Sequence, residues 1–214
     1  MSHWPMTMER CSSNRATLAP GGNPFATCHV RPGSIPFLFA EGQSAATVID
    51  ELRLGEWRGQ IIGPHGTGKS TLLAALMPAL EQAARSPNLL VLRDGQRRLP
   101  PETLLKLGKD AQLLIVDGYE QLSWISRWRL KRRCRRLGCG LIVTAHRDVG
   151  LTTIYRTSGD SHTARRVVEQ LLSGNESSPL DATELADAWR RHRGNLREML
   201  FDLYDVYERR RPRG

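Results

Sequence analysis

The stretch IIGPHGTGKST, residues 61–71, sets three glycines, one lysine and three hydroxyl residues directly after an apolar run. A chain that strips side chains from its backbone between a strand and a helix is clearing space around N–H groups. Gly63, Gly66 and Gly68 leave those donors open, and the first turn of the following helix adds more unpaired N–H groups together with its dipole. The result is a cradle for an anion. Its spacing is that of G-x-x-x-x-G-K-[ST], with Pro64, His65, Thr67 and Thr71 completing the loop. Lys69 then supplies a point charge for the terminal phosphates of a nucleotide, Ser70 a hydroxyl for a magnesium ion, and Thr71 a bond to an inner phosphate.

Such a loop needs a strand before it and a helix after it, and the flanks supply both. RGQII is a short apolar strand. TLLAALMPALEQAA has strong helix propensity, although Pro78 removes a backbone donor and is expected to kink or divide the helix. Upstream, PFLF reads as a short strand and SAATVIDELRLG as a helix stopped by Gly55. Downstream the alternation repeats. NLLVLRDG, AQLLIVDG, GLIVTAHR and TTIYRTSG read as strands, with PPETLLKLG and SWISRWRLKRRCRRLG as intervening helices. Continuous apolar strands separated by helices imply an α/β fold of three layers, a parallel sheet covered on both faces. Past the SGNESSP turn, DATELADAWRRH and NLREMLFDLYDVYERRR form a small helical appendage. The expected division is a tail over 1–34, a core over 35–172 and a lid-like segment over 173–214.

Charge and cysteine content narrow the function classes. The chain of 214 residues carries a formal charge of +9 and a pI near 10.0, which suits an anionic partner such as nucleic acid, a nucleotide or an acidic protein surface. No apolar run is long enough to span a membrane and no signal peptide is evident, so the expected setting is cytoplasmic. Cys11, Cys28, Cys134 and Cys139 lack zinc-site spacing and read as reduced thiols.

Two further strand ends carry candidate chemistry. LLIVDGYE presents Asp117 after four apolar residues, where a carboxylate can hold magnesium through water, and Glu120 three residues on is the nearest group to orient or deprotonate an attacking water. LIVTAHRD ends on Thr144, His146 and Arg147. If that strand lies beside the Asp117 strand, either Thr144 or His146 can reach the water or the γ-phosphate.

Together these motifs resemble the additional-strand class of P-loop NTPases, most closely the AAA+ and NACHT/STAND ATPases, over roughly residues 56–200. The resemblance implies binding of ATP and Mg2+, a further strand between those of the P-loop and the magnesium aspartate, and possible self-association. In AAA+ families glutamate usually follows the aspartate at once, whereas Gly118 stands here. The D-G-Y-E order is similar to the NACHT pattern and puts Glu120 in the second acidic role. RGNLREML is similar to the sequence opening a lid helix in several AAA+ families, which implies that Arg197 reaches the γ-phosphate; Asn195 can equally be a helix cap with Arg197 exposed. An ABC-type ATPase is disfavoured by the short span from Lys69 to Asp117. A small-molecule or nucleoside kinase stays open through Asp94 with Arg93, Arg97 and Arg98, as does a nucleotide-gated binding module with little turnover.

The helix containing WISRWRLKRRCRR carries seven basic residues from Arg127 to Arg136 and no acid among them. Leu130, Cys134 and Leu137, with Trp124 and Trp128, are expected on its core face, leaving the other face positive. That face is open to nucleic acid, an acidic protein, a neighbouring subunit's γ-phosphate or solvent alone.

Overall fold

The computed structural model describes residues 23–101, 103, 107, 112–173 and 181–210, less the side chains of Cys28 and Ala182. A short helix α1 (Thr27–Val30) leads through an extended segment to α2 (Ala45–Leu54), then β1 (Arg58–Ile62), α3 (Lys69–Gln82), β2 (Pro87–Val91) and β3 (Leu113–Asp117). One turn of 3-10 helix (Tyr119–Gln121) leads into α4 (Trp124–Arg136), β4 (Gly140–Ala145) and β5 (Thr153–Arg156). Helices α5 (Ser161–Leu172), α6 (Ala182–Arg191) and α7 (Leu196–Arg210) follow.

All five strands pair in parallel in the order β2-β3-β4-β1-β5. β4 therefore stands between the glycine-loop strand and the Asp117 strand. Side-chain alternation assigns each strand residue to a layer. Ile61, Leu113, Ile115 and Ile142 face α2 and α3, packing on Ile49, Leu52, Leu72, Leu76 and Leu80. Leu114, Val116, Leu141 and Val143 face the other way, onto Leu130 and Cys134 of α4. The three-layer α/β expectation is met, with Cys134 and Cys139 buried free thiols. β2 alone alternates, Leu89 and Val91 being exposed at the sheet edge.

Several local expectations need correction. Residues 36–39 are not a strand; Phe37 and Phe39 pack edge-on against each other and Tyr155, so the segment is held by rings rather than by a ladder. Helix α3 is not divided at Pro78. Trp124 and Trp128 are not core residues but 77% and 55% exposed, and Leu137 is 42% exposed. The reason is phase: Trp128 and Leu130 are two residues apart, about 200° around a helix, so both cannot face the sheet. An additional helix, α5, precedes the two foreseen at the C-terminus. Its Ala164, Val167 and Val168 join Ala188, Met199, Leu200 and Leu203 in a third apolar cluster.

Phe25, fully buried, and Ile35 complete that cluster. Asn23 donates to Tyr204 O at 3.1 Å and to Glu208 Oε1 at 2.9 Å. Residues 23–35 are thus packed on the C-terminal helices, while 1–22 lie outside the described residues. So do most of PPETLLKLG and nearly all of SGNESSP. Among the described residues no helix is long and apolar enough to cross a membrane.

Candidate functional site: the cleft at the glycine loop

Gly63 closes β1 against β4, its N–H donating to Ala145 O at 3.2 Å, and the chain then loops over 64–68 into α3. Gly66 sits at φ 70°, strained for any L side chain, and a Cβ there would lie 1.7 Å from Asn195 Oδ1. Gly68 caps α3 without a side-chain hydrogen bond, so the helix start keeps its donors for a ligand. Thr67 Oγ1 meets Thr157 Oγ1 at 2.7 Å and donates to Pro64 O, tying the loop to the end of β5.

Lys69 is 9% exposed, and its ammonium donates to Gly63 O at 2.7 Å and Pro64 O at 2.6 Å. Burial holds its pKa below the ordinary lysine value, opposed by the charges of Glu120 and Asp117. Ser70 Oγ donates to Asp117 Oδ2 at 2.6 Å, and Thr144 Oγ1 donates to Asp117 Oδ1 at 2.5 Å. The same threonine oxygen accepts from Gly118 N at 2.9 Å. Thr144 is 1% exposed with its hydroxyl engaged in both directions. Gly118, at φ 80°, lets the chain turn at once from β3 into the 3-10 turn that carries Glu120.

Glu120 Oε1 meets His146 Nδ1 at 3.2 Å, while its Oε2 is buried with no hydrogen-bond partner. The His146 ring lies 3.5 Å from that of His65, tilted by 45°. Burial lowers the His146 pKa, against the pull of Glu120 and with help from Lys69 and His65. The imidazole is therefore neutral at pH 7 and can hold a carboxylate oxygen through an Nδ1–H.

These groups line one cleft of about 1440 Å3, walled by Ile35–Phe39, the glycine loop, the ends of β3, β4 and β5, and parts of α5 and α7. The expected residues Gly66, Thr67, Gly68, Lys69, Ser70, Thr71, Asp117, Glu120, Thr144 and His146 meet there, as do His65 and the exposed Arg197. Gly63 and Pro64 offer their carbonyls from beneath Lys69. Asp94 is placed otherwise: it accepts from Gln121 Nε2 at 3.0 Å, and neither it nor Arg93, Arg97 or Arg98 is among the described lining residues. Sequence reasoning missed Thr157, Arg156 and Arg166. The arginines carried no signal separating them from the chain's many others; Thr157 was marked only by closing an apolar strand. Asn195 caps α7, accepting from Glu198 N at 3.3 Å, and also touches Gly66.

No protein-family model and no curated protein matches the chain. Solved structures do. A crystal structure of a DNA replication initiation factor matches with a TM-score of 0.55 at 18% identity, over 79% of this chain and 62% of its own. The replication initiator DnaA bound to AMPPCP and single-stranded DNA matches with a TM-score of 0.55 at 16% identity, over 81% and 63%. The Thermotoga maritima RuvB Holliday junction branch migration motor gives 0.50 at 14%, over 74% and 60%. The chain thus spans somewhat under two thirds of the length of each. With β4 inserted between β1 and β3 and helices following the sheet, the chain has the fold of the AAA+ ATPases.

Proposed function

We propose that the chain binds Mg-ATP in this cleft and hydrolyses it, with nucleotide state setting the position of the C-terminal helices. The observation that carries the reading is the meeting of Ser70 and Asp117 at the start of α3, beside uncapped N–H groups and Lys69. A hydroxyl and one carboxylate are hard oxygen donors of the kind magnesium takes from protein, the rest of its shell being water and phosphate. Ser70 and Asp117 would hold the ion, which when bound neutralises charge on the phosphate oxygens. AMPPCP in the similar initiator supports ATP as the nucleotide.

Lys69 exchanges the carbonyls of Gly63 and Pro64 for terminal phosphate oxygens. Thr144 is a positioning residue, fixing Asp117 and the turn at Gly118. Glu120, its Oε1 held by His146 and its Oε2 unpartnered, accepts a proton from the attacking water. Arg197, Arg156 and Arg166 bring positive charge to the phosphates from the appendage and from β5. Because Asn195 rests on Gly66 and Gly194 on Gly159, phosphates entering the loop bear directly on the α6–α7 junction. We place the division between core and appendage near Thr157, with residues 23–35 belonging to the appendage. Association into oligomers is compatible with this reading.

ATP binding and steady-state hydrolysis, with and without magnesium, test it. Lys69→Ala is expected to lose both, and Glu120→Gln to keep binding and lose turnover. Full turnover in Glu120→Gln removes that residue from the mechanism. Binding without turnover in the parent chain selects the nucleotide-gated module, the reading favoured by Gly118 standing where an acid would follow Asp117.

A further inference from the structure

We infer that the outward face of α4 is a docking surface for a single-stranded polynucleotide, with Trp124 and Trp128 stacking on bases while Arg129, Arg132, Arg135 and Arg136 meet phosphates. The phase that takes Leu130 and Cys134 to the sheet turns Trp124, Ile125, Trp128, Arg132, Arg135 and Arg136 onto one exposed arc. Two indoles 77% and 55% exposed on one helix are costly for a surface that meets only water, and they lie one turn apart.

The charges beside them are unmet. Two basic residues of α4 are structural anchors: Arg127 donates to Glu120 O and Leu122 O, and Lys131 donates to Val149 O. Arg129, Arg132, Arg135 and Arg136 are exposed, and among the described residues no carboxylate pairs with them. Four arginines of α5–α7 are paired instead: Arg165 with Glu169, Arg190 with Asp187, Arg191 with Asp202 and Arg210 with Glu184. On α4 the Arg132 guanidinium lies 5.3 Å over the Trp128 ring, holding a cation and a π-face together.

Alternating aromatic faces and guanidinium groups are what a flexible strand of stacked bases and phosphates requires. A duplex hides its base faces and would leave both indoles idle. Guanidinium and indole N–H groups donate to the phosphate oxygens of DNA and RNA alike, and a 2′-hydroxyl accepts from them as well as donating, so the arc specifies a single strand and not its sugar. Docking on α4 does not depend on ATP binding in the cleft, and ATP is left out of the test.

The experiment is a titration of the full chain with oligodeoxythymidylate of about 16 nucleotides, with oligouridylate of equal length, with a duplex and with polyglutamate, each at two salt concentrations. Both single strands are expected to bind more tightly than duplex. Trp124→Ala/Trp128→Ala should weaken them by roughly tenfold or more per tryptophan, leave duplex binding unchanged and leave Tm unchanged. Trp124→Phe/Trp128→Phe should keep most of the affinity, which separates stacking from damage to the fold. Arg132→Ala/Arg136→Ala should weaken single strand and duplex together and flatten the salt dependence by about 0.7 in log–log slope for each phosphate no longer neutralised. Duplex binding as tight as single strand, full affinity in the tryptophan-to-alanine variant, or binding of polyglutamate in place of both single strands would each overturn the proposal.

Discussion

In the cleft, Lys69 is buried, two of its donors rest on Gly63 O and Pro64 O, and Asp117 and Glu120 lie within its field. On the outward face of α4, Arg129, Arg132, Arg135 and Arg136 stand in solvent with no carboxylate partner among the described residues. Both regions are positive, yet only the first had to be built. A buried cation loses hydration, so folding must give it acceptors or suppress its charge, and whatever it later binds must compete with those acceptors. A surface cation keeps its water and imposes nothing on the fold. The cleft should therefore respond to substitution through both stability and ligand, and α4 through ligand alone.

The largest effect tests the cleft side of that contrast. Lys69→Ala removes the one buried cation at the loop, and ATP affinity is expected to fall by roughly a hundredfold or more, as charge-assisted bonds to two or more phosphate oxygens disappear. Equilibrium binding with a fluorescent ATP analogue measures it; retained affinity would show that the exposed cations, not the buried one, hold the phosphates. Next comes Thr144→Val, which keeps shape but strips Asp117 Oδ1 and Gly118 N of a shared partner. Denaturant unfolding should show a loss of about 1–3 kcal/mol, and the magnesium requirement for turnover should rise. A stability change without a magnesium effect would confine Thr144 to folding.

How much of this is legible in sequence differs between the same two regions. The glycine loop is legible from its spacing, since an anion cradle dictates residue types at fixed positions whatever the rest of the chain does; Asp117 is legible as a carboxylate closing an apolar strand, and Glu120 as the nearest acid after it. Thr144 is marked as a site residue, but its hydroxyl goes to Asp117 and Gly118 rather than outward to water or phosphate: residue type marks a hydroxyl at a strand end and does not say which neighbour takes it. Helix α5 escapes a reading by runs although Asp160 caps it and Ala164, Val167, Val168 and Leu171 recur at helical spacing. Arg165 and Arg166 break the apolar run, and a helix period is carried by phase rather than by run length. The same neglect of phase puts Trp124 and Trp128 in the core. Asn195 on Gly66 joins segments far apart in sequence, and no local pattern reports such a meeting.

A third and smaller effect uses pH. Folding holds His146 below its ordinary pKa of 6.5, chiefly by burial. The unfolded chain therefore takes up the proton first as pH falls, and the stability carried by the neutral ring, present above pH 6.5, is lost between that value and the lower folded pKa. Turnover, which reports the folded protein alone, should decline as pH falls through that lower folded pKa, as protonation alters the hold on Glu120. His146→Gln is expected to flatten both profiles, measured by thermal unfolding and by initial rate against pH. An unchanged rate profile would assign the acid limb to another group.

The smallest expected effect is the one that most directly opposes the two kinds of arginine. Arg136→Ala on α4 removes an exposed guanidinium with no carboxylate partner among the described residues, and its ΔG of unfolding should move by no more than about 0.5 kcal/mol in either direction. A shift toward greater stability is the more informative sign, since Arg132, Arg133 and Arg135 crowd the same end of the helix and removing one charge relieves repulsion. Asp202→Ala is the matched control. It frees Arg191 and His192 from a half-buried carboxylate that ties α6 to α7 and should cost roughly 1 kcal/mol. Urea unfolding of the two variants at low and high salt decides the matter. If Arg136→Ala costs as much as Asp202→Ala, the α4 arginines hold the fold together and are not held in reserve for a ligand. If salt stabilises the parent chain but leaves Arg136→Ala less affected, the charge on α4 is a standing repulsion that an anionic strand would relieve.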